Sequence, residues 1–412
     1  MVSKVRRIVL VAGVAGAAVF AAAAYWTVRI AYSDWVYRDY NAKSIREAIQ
    51  LTPVNPEYYR EWSEIEPGRA VEALEKAAAL DPLNAEVWIA WSAALEERKD
   101  YGRAEACLLK AVDVDRTFAP RLMLAEYYYR RGEAKKFWPA VKAALATSYG
   151  DVTELFQECA ALSSDSETIP RALPRRPDVL RQYLEYAVAE NRMEEAGAVA
   201  ARVLAEANEQ STGALLRYCD RLLGMGRGRE ALAIWNGLSE RKLIPYAGLR
   251  PEEGRSLTNG DFAAGDLGAG FDWRTTAPGG VRIDRFEAPA ALRIRFSGKQ
   301  PERCEILSQY VPLMPGRGYI LTVRYRAAGI GRESGLYCRI LGGSGQDLLG
   351  QAGGLPGGAE GEAERTLHFR SADETAPARL VVGYERVRGT MRIEGSVTLL
   401  GFALWPEWGH GQ

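Results

Sequence analysis

Histidine, the side chain that most often serves as a general base or metal ligand, occurs only twice in this 412-residue chain. His368 lies in the segment TLHFRS, where Leu367 and Phe369 are expected to point inward and His368 outward, and His410 is among the last three residues. A Ser-His-Asp triad or a histidine-rich metal site therefore lacks its essential side chains. The sequence predicts no catalytic residues, no metal ligands and no cofactor.

The five cysteines are not spaced in pairs. Cys159 and Cys219 fall where a small residue is expected inside a helix pair, and Cys107 lies in a helix core, so all three are interpreted as small buried hydrophobes. Cys304 and Cys338 are the only candidates for a disulfide in an oxidising compartment. Their separation cannot be read from the sequence, so the pairing stays open.

Charge is balanced, with 53 basic and 53 acidic residues, so nothing indicates electrostatic capture of nucleic acid. No acid/base pair stands out among the scattered carboxylates. A glycosidase needs only two carboxylates at the correct separation, so that alternative remains open. We nevertheless expect a protein that is not an enzyme.

A unit of about 34 residues repeats from roughly residue 51 to residue 241. Its elements are the first that would position any site. In the clearest copy, which starts at Ala85, Trp88 is the fourth residue, Ser92 the eighth, Ala104 the twentieth and Leu108 the twenty-fourth. Small residues at the eighth and twentieth places allow two helix backbones to approach, and large apolar residues fill the space between turns. This spacing predicts an array of antiparallel helix pairs.

At these residues the chain resembles the tetratricopeptide repeat (TPR) family. The strongest matches are 85–118, 177–209 and 212–241; the units at 51–84 and 151–176 are degenerate, and Pro170, Pro174 and Pro177 cut the latter short. Residues 44–55 indicate the second helix of an incomplete opening unit. The resemblance implies an α-solenoid that binds partner proteins.

The N-terminus carries Lys4, Arg6 and Arg7 ahead of an uncharged run from Ile8 to Trp26. Nineteen helical residues would span about 28 Å, close to a bilayer core of about 30 Å. The basic leader predicts a cytoplasmic N-terminus, so that the bulk of the chain is periplasmic or otherwise extracytoplasmic. We therefore expect a single-pass signal anchor in the inner (plasma) membrane.

A cleavable signal peptide is the competing interpretation, because Ala22 and Ala24 form an A-x-A-like site. Either interpretation predicts that the protein is exported, and the choice between them stays open.

After Pro245 the helical period stops, and short alternating runs of the kind found in half-buried strands appear. The stretch 342–358 is Gly-rich and is expected to be a flexible loop. The final run, VTLLGFALW, is apolar on both faces and is expected to be a central strand. About eight strands predict an antiparallel β-sandwich. The other runs are 291–296, 319–326, 335–341, 378–385 and 390–395.

This region resembles the jelly-roll carbohydrate-binding modules, also called galactose-binding-like domains. The resemblance rests on LTNGDF (257–262), GFDWR (270–274), and the segments 310–326 and 392–404, although Leu400-Gly401 stands where many relatives carry an acidic pair. The anchor, repeats and sandwich together resemble bacterial cell-envelope proteins associated with the assembly or export of surface polysaccharide (exopolysaccharide). The resemblance implies glycan binding as a candidate role.

The predicted organisation is a leader and transmembrane helix (1–31, core 8–26), TPR-like repeats (33–245), a linker (246–255), a sandwich (256–406) and a tail (407–412). In TPR proteins the first helix of each unit lines the binding groove, and this implies a protein-binding set in which Tyr129 is the expected anchor. The set is Glu86, Glu96, Glu126, Tyr129, Arg130, Arg181, Glu185 and Asp220.

Two aromatic residues of the sandwich are candidates for glycan contact. Tyr337 alternates with Leu336 and Cys338 and so is expected to face outward, where its ring could stack on a sugar. Trp273 is the second candidate, although we expect it to pack in the core. The favoured function is a non-enzymatic, membrane-anchored scaffold for partner proteins; the alternative is a glycan-binding envelope protein acting through its sandwich.

Overall fold

The computed structural model describes residues 2–163, 165–331, 333–343, 347–355, 361–373 and 377–407, with the backbone alone for residues 2–9, 11 and 353. Within these ranges a long N-terminal α-helix, thirteen further α-helices and two short 3-10 helices (Pro67–Arg69 and Pro251–Glu253) precede ten strands in two antiparallel sheets. This confirms the predicted fold class. The chain divides into an N-terminal unit (1–164 with 171–175) and a C-terminal unit (165–170 with 176–412). The domain boundaries given above stay a prediction.

The N-terminal unit is built of antiparallel helix pairs whose small residues lie where the repeat places them. Ser92 and Ala104 are both buried, and Asn41, Asn55 and Asn84 cap the helices that follow them. The helices are α1 Val2–Tyr37, α2 Ala42–Leu51, α3 Pro56–Ile65, α4 Ala70–Leu80, α5 Ala85–Glu97, α6 Tyr101–Val114, α7 Phe118–Arg131, α8 Ala134–Thr147 and α9 Thr153–Leu162.

Helix α1 has two different halves. Its 36 residues span about 54 Å, and Ala12–Tyr37 is long and apolar enough to cross a membrane, although a signal sequence passes the same test. Near its C-terminal end Ser33 is fully buried and hydrogen-bonds to Thr52 (2.8 Å) and Tyr58 (3.0 Å). The end of α1 therefore acts as the first helix of the opening unit, which the sequence had predicted to be incomplete.

The remaining repeats follow the predicted spacing. The short helix α10 (Thr168–Ala172) agrees with the proline-rich sequence around it. Cys107, Cys159 and Cys219 are buried, as their positions predict. The later helices are α11 Pro177–Ala189, α12 Met193–Ala205, α13 Glu209–Gly224 and α14 Gly228–Glu240.

The sandwich encloses one core between two five-stranded sheets, ordered β1-β4-β9-β6-β7 and β2-β3-β10-β5-β8. The predicted central position of the last strand is confirmed, because β10 pairs with both β3 and β5. The strands are β1 Arg274–Thr275, β2 Val281–Glu287, β3 Ala290–Ser297, β4 Arg303–Val311, β5 Gly318–Ala328, β6 Leu336–Leu341, β7 Leu348–Gly353, β8 Ala363–Arg370, β9 Ala378–Glu385 and β10 Glu394–Pro406.

Two local predictions in the sandwich are wrong. The run 390–395 is not a strand, since β10 begins only at Glu394. The Gly-rich stretch 342–358 contains β7, which pairs with β6; residues 344–346 and 356–358 lie outside the described ranges. By contrast, Phe369 is buried and the side chain of His368 is mostly exposed, as predicted. His410 lies outside the described residues.

Cys304 and Cys338 lie on β4 and β6, the two strands that flank β9. Two inter-strand steps separate them by roughly 10 Å, which is beyond the reach of a disulfide. Both thiols are free.

Candidate protein-binding face

The first helices of successive repeats are tied together by side chains one repeat apart. Arg130 of α7 donates two hydrogen bonds to the carboxylate of Glu96 in α5, at 3.0 and 2.9 Å. Such bidentate pairs are among the stronger charge-assisted contacts. Two of the predicted groove residues are therefore brought together.

Further carboxylates surround this pair. Glu126 lies 3.8 Å from Arg130, and Glu154 and Glu158 of α9 act electrostatically on the same group of side chains. We call Glu96, Glu126, Glu154, Glu158 and Arg130 the acidic cluster. Glu96, Glu126 and Glu158 act on the Arg130 guanidinium, which already donates its hydrogen bonds to Glu96. Glu154 adds a further negative charge beside Glu126 and Glu158.

Partial burial makes this arrangement costly for the charged carboxylates. Burial, together with repulsion from Glu126 and Glu154, raises the pKa of Glu158 from 4.5 to about 7, although Arg130 opposes the change. Burial likewise raises the pKa of Glu126. One carboxylate oxygen of Glu158 has no hydrogen-bond partner among the described residues. The acidic cluster therefore still has a carboxylate oxygen that can accept a hydrogen bond from a cation.

The other predicted residues of this unit have simpler surroundings. Glu86 is exposed in the first turn of α5. Tyr129, the predicted anchor, is half-buried, with its ring 6.1 Å from that of Phe137. Only part of the Tyr129 ring is thus open to a partner.

The remaining three predicted residues lie in the C-terminal unit. Arg181 pairs with Glu185 at 3.1 Å, and Arg217 of α13 pairs with the same carboxylate at 2.7 Å. Asp220, predicted to face a partner, instead accepts a hydrogen bond from the backbone N–H of Gly270 (2.7 Å) and pairs with Arg274. It is engaged within its own unit because the segment leading into β1 packs on α13.

Neither aromatic residue proposed for glycan contact is exposed. Trp273 is fully buried, and its indole N–H donates to the carbonyl of Asn259 at 2.9 Å. Tyr337 is only 5% exposed, so the expectation that it faces outward is wrong. Its ring lies over Gly383, where an added Cβ would come within 2.4 Å of the hydroxyl, and the Arg339 guanidinium covers the ring at 3.7 Å.

Sequence reasoning missed two residues of interest. Glu158 follows Glu126 at 32 residues, so the repeat period contained the signal. Trp405 is 61% exposed at the end of β10. The run VTLLGFALW, apolar on both faces, was interpreted only as a buried strand, whereas it also places an aromatic ring on the outer face.

No family model matches the chain, and no curated protein matches its sequence. Among solved structures, the sandwich is similar to a CBM4 module, with 14% identity over 37% of this chain and 100% of that one and a TM-score of 0.30. The repeats are similar to YrrB, described as a TPR protein with an unusual peptide-binding site (15% identity, 50% of this chain, 94% of that one, TM-score 0.25).

A third similarity is to a carbohydrate-binding module from a Cellvibrio mixtus lichenase in complex with cellotriose, with 8% identity over 32% of this chain and 92% of that one and a TM-score of 0.22. At such low scores these similarities say nothing of function, which has to be inferred from the contacts within the chain.

Proposed function

We propose that this protein is a non-enzymatic, membrane-anchored scaffold whose acidic cluster binds a basic segment of a partner protein. The observation that carries the proposal is a group of four carboxylates, three of them partly buried, that contains a single arginine. A lysine or arginine from a partner would restore the missing positive charge and supply donors to Glu126 and Glu158. Tyr129 would provide an adjacent apolar contact.

The location that we propose for this scaffold is the inner membrane, with the N-terminus in the cytoplasm and the repeats outside it. Helix α1 supports this role, because one continuous helix carries both the apolar stretch and the buried Ser33. A partner held on α5, α7 and α9 would thus be kept near the membrane. Participation in the assembly or export of a surface polysaccharide is the process that we propose for it.

The first test uses the full chain in detergent and two labelled peptides that differ only in having lysine or glutamate at alternate positions. Fluorescence anisotropy should report binding of the lysine peptide alone. The double variant Glu126→Gln/Glu158→Gln should weaken this binding roughly tenfold or more, since hydrogen bonds to charged groups are lost. Glu86→Gln, which removes an exposed carboxylate outside the cluster, is the matched control.

Arg130→Ala should change the affinity for the lysine peptide in the opposite direction, because it removes the competing guanidinium and leaves Glu96 free. The lysine peptide should then bind more tightly. Equal binding of both peptides, or unchanged affinity in the double variant, would refute the proposal. Cross-linking in native membranes, compared between the wild type and the double variant, would then identify the partner.

Glycan binding is the second candidate function. The two side chains first proposed to contact a glycan, Trp273 and Tyr337, are buried. It would need another site on the sandwich.

A further inference from the structure

The C-terminal part of α1 is packed on α2 and α3. Arg29 donates hydrogen bonds to the backbone carbonyls of Gln50 and Leu51 at the end of α2. The hydroxyl of Tyr58 in α3 donates to the carboxylate of Asp34. Both α2 and α3 carry charged side chains, which are costly in a bilayer core. The hydrocarbon core of a membrane must therefore end before Arg29, in agreement with the predicted span 8–26.

Beyond Arg29, α1 keeps an exposed apolar surface. Val28 is 68% and Trp35 64% exposed, and Ala31 between them is exposed as well. Trp35 lies nine residues after Trp26, which places it about 13 Å further along the helix. The headgroup layer on each side of a bilayer core is only about 5–8 Å thick. This surface therefore extends past the membrane into water, where covering it with another protein is favourable.

The exposed surface is the end of a heptad pattern that begins within the apolar stretch of α1. Its residues are three and four apart in alternation, and at about 100° per residue they fall within a sector of roughly 100°. The buried residues Ser33 and Val36 lie about 100–160° around the helix from Trp35. We call this pattern the α1 stripe: Leu10, Val14, Ala17, Ala21, Ala24, Val28, Ala31 and Trp35, all of them exposed.

The course of the α1 stripe indicates what covers it. An alternation of three and four is the spacing of a coiled coil, so the partner is a helix. The stripe continues without interruption from the membrane stretch into the part held by α2 and α3, so the partner must cross the same boundary in the same register. A second copy of α1 has this property, because membrane insertion gives both copies the same direction.

The α1 stripe is also self-complementary. In a parallel pair each stripe residue faces its own counterpart, so Ala17, Ala21 and Ala24 meet small residues and allow two helices to approach closely within a membrane. The charged residues Arg29 and Asp34 lie outside the stripe, so no like charges meet along it. A second copy therefore satisfies both the register and the charge of this surface.

We propose that the α1 stripe pairs with the same stripe of a second copy of this chain, as a parallel two-stranded coiled coil that continues from the membrane to Trp35. This inference rests on the membrane anchoring proposed above and adds a partner that the acidic cluster does not provide. Each dimer carries two acidic clusters, so a protein with two basic segments would bind with increased avidity.

The test is oxidative cross-linking in isolated membranes of full-length variants that each carry one added cysteine. In helices packed about 8–10 Å apart, facing Cα atoms are about 5 Å apart and those on the far sides about 13–15 Å apart. A disulfide needs Cα atoms within about 7 Å. Val28→Cys and Trp35→Cys should therefore give disulfide-linked dimers. Ile30→Cys, an exposed apolar position on the other side of α1, is the matched control and should not.

The same comparison applies within the membrane stretch, where Ala21→Cys should cross-link and Val19→Cys should not. Adding Trp35→Asp to Ala21→Cys should reduce the dimer about fivefold or more, because two carboxylates would face each other. Adding Ile30→Asp instead should leave the dimer unchanged. The parent chain without an added cysteine measures any dimer formed through Cys304, which is partly exposed.

Equal cross-linking at stripe and control positions would overturn the proposal. So would an absence of cross-linking at every position in a protein that resists alkaline extraction, since lipid or another membrane protein would then cover the α1 stripe. A chain cut near Tyr25 would overturn it as well, because most of the stripe would be removed. Alkaline extraction thus separates a failure of pairing from a failure of anchoring. The lysine-peptide test uses the acidic cluster in detergent, so its outcome is independent of these results.

Discussion

At the scale of single residues, the repeat depends on side chains small enough for two helices to touch. Ala104 of α6 is fully buried, as is Ala111 two turns later on the same face. Ala104→Trp should overpack the α5–α6 pair and cost roughly 1–3 kcal/mol or more. The damage should extend to adjoining repeats, because such arrays are stabilised by interfaces between neighbours.

Gly102, two residues earlier on the same helix, provides the control. A Cβ there would meet nothing within 4 Å, so Gly102→Ala should not lower stability. Because Gly102 lies in the first turn of α6, any gain should be smaller than the roughly 0.5–1 kcal/mol of a mid-helix position. Thermal melts followed by circular dichroism would measure both. An unchanged melting temperature in Ala104→Trp would mean that the α5–α6 contact is looser than the buried side chains indicate.

The raised pKa of Glu158 gives a prediction of stability against pH. Between its ordinary pKa of 4.5 and the folded value of about 7, the folded chain keeps a proton that the unfolded chain has lost. The stabilisation is complete below pH 4.5 and is lost as pH rises through 7, so the free energy of unfolding should fall across this window. Urea titrations at several pH values would measure this slope.

Glu158→Gln should flatten that slope, whereas Glu86→Gln should leave it as in the wild type. A steeper slope in Glu158→Gln would indicate that the cluster stabilises the ionised form instead. The same titration implies that the lysine peptide should bind more tightly as pH rises through 7.

At the scale of elements, sequence patterns were sufficient wherever one face of an element is consistently apolar. The repeats from Ala85 onward and strands such as β5 have that property, and both were predicted. Strand β2 was missed because Arg282, Asp284 and Arg285 interrupt its apolar residues. Strand β7 was missed because its two glycines indicate a loop, and only pairing with β6 makes it a strand.

Whether one face of an element is consistently apolar also explains which site residues were placed correctly. Tyr337 was misplaced because β6 is buried on both faces at Leu336, Tyr337 and Cys338, so alternation there does not separate core from solvent. The acidic cluster was partly predicted, since the repeat period aligns Glu96 with Arg130. The open groove beside Trp405 could not be predicted, because it is lined by residues 245–264 and 402–405, which are more than a hundred residues apart in the sequence.

Helix α1 carries the prediction about the membrane. Large apolar side chains such as Val14, Val19 and Phe20 are exposed along it, and a lipid bilayer would cover them. A reporter fused after Gln412 should behave as exported, and the protein should resist alkaline extraction. Replacing Lys4, Arg6 and Arg7 with serine should reduce the fraction exported. A soluble chain that begins near Tyr25 would instead establish cleavage of a signal peptide.

At the scale of the whole chain, the C-terminal unit joins the last repeats to the sandwich through an aromatic cluster. Trp235 of α14 is fully buried; its ring stacks on Tyr246 (5.8 Å) and meets Phe271 edge-on (5.9 Å). Gly270 approaches so closely that a Cβ there would lie 2.5 Å from the Trp235 ring. Asp220 adds its contacts to Gly270 and Arg274. A cut at the predicted linker would therefore expose apolar surface.

A linker at 246–255 predicts that the sandwich, taken as residues 251–412, folds alone, and the aromatic cluster adds a measurable difference in stability to that prediction. The fragment 176–412 should melt at a higher temperature than 251–412, because the shorter fragment exposes Phe271, whose burial contributes about 1.5–3 kcal/mol. Trp235→Ala in the longer fragment should remove roughly 3–5 kcal/mol and reproduce much of the difference. Differential scanning calorimetry would measure all three. Equal melting temperatures for the two fragments would mean that the sandwich is an independent domain and that the helices merely rest against it.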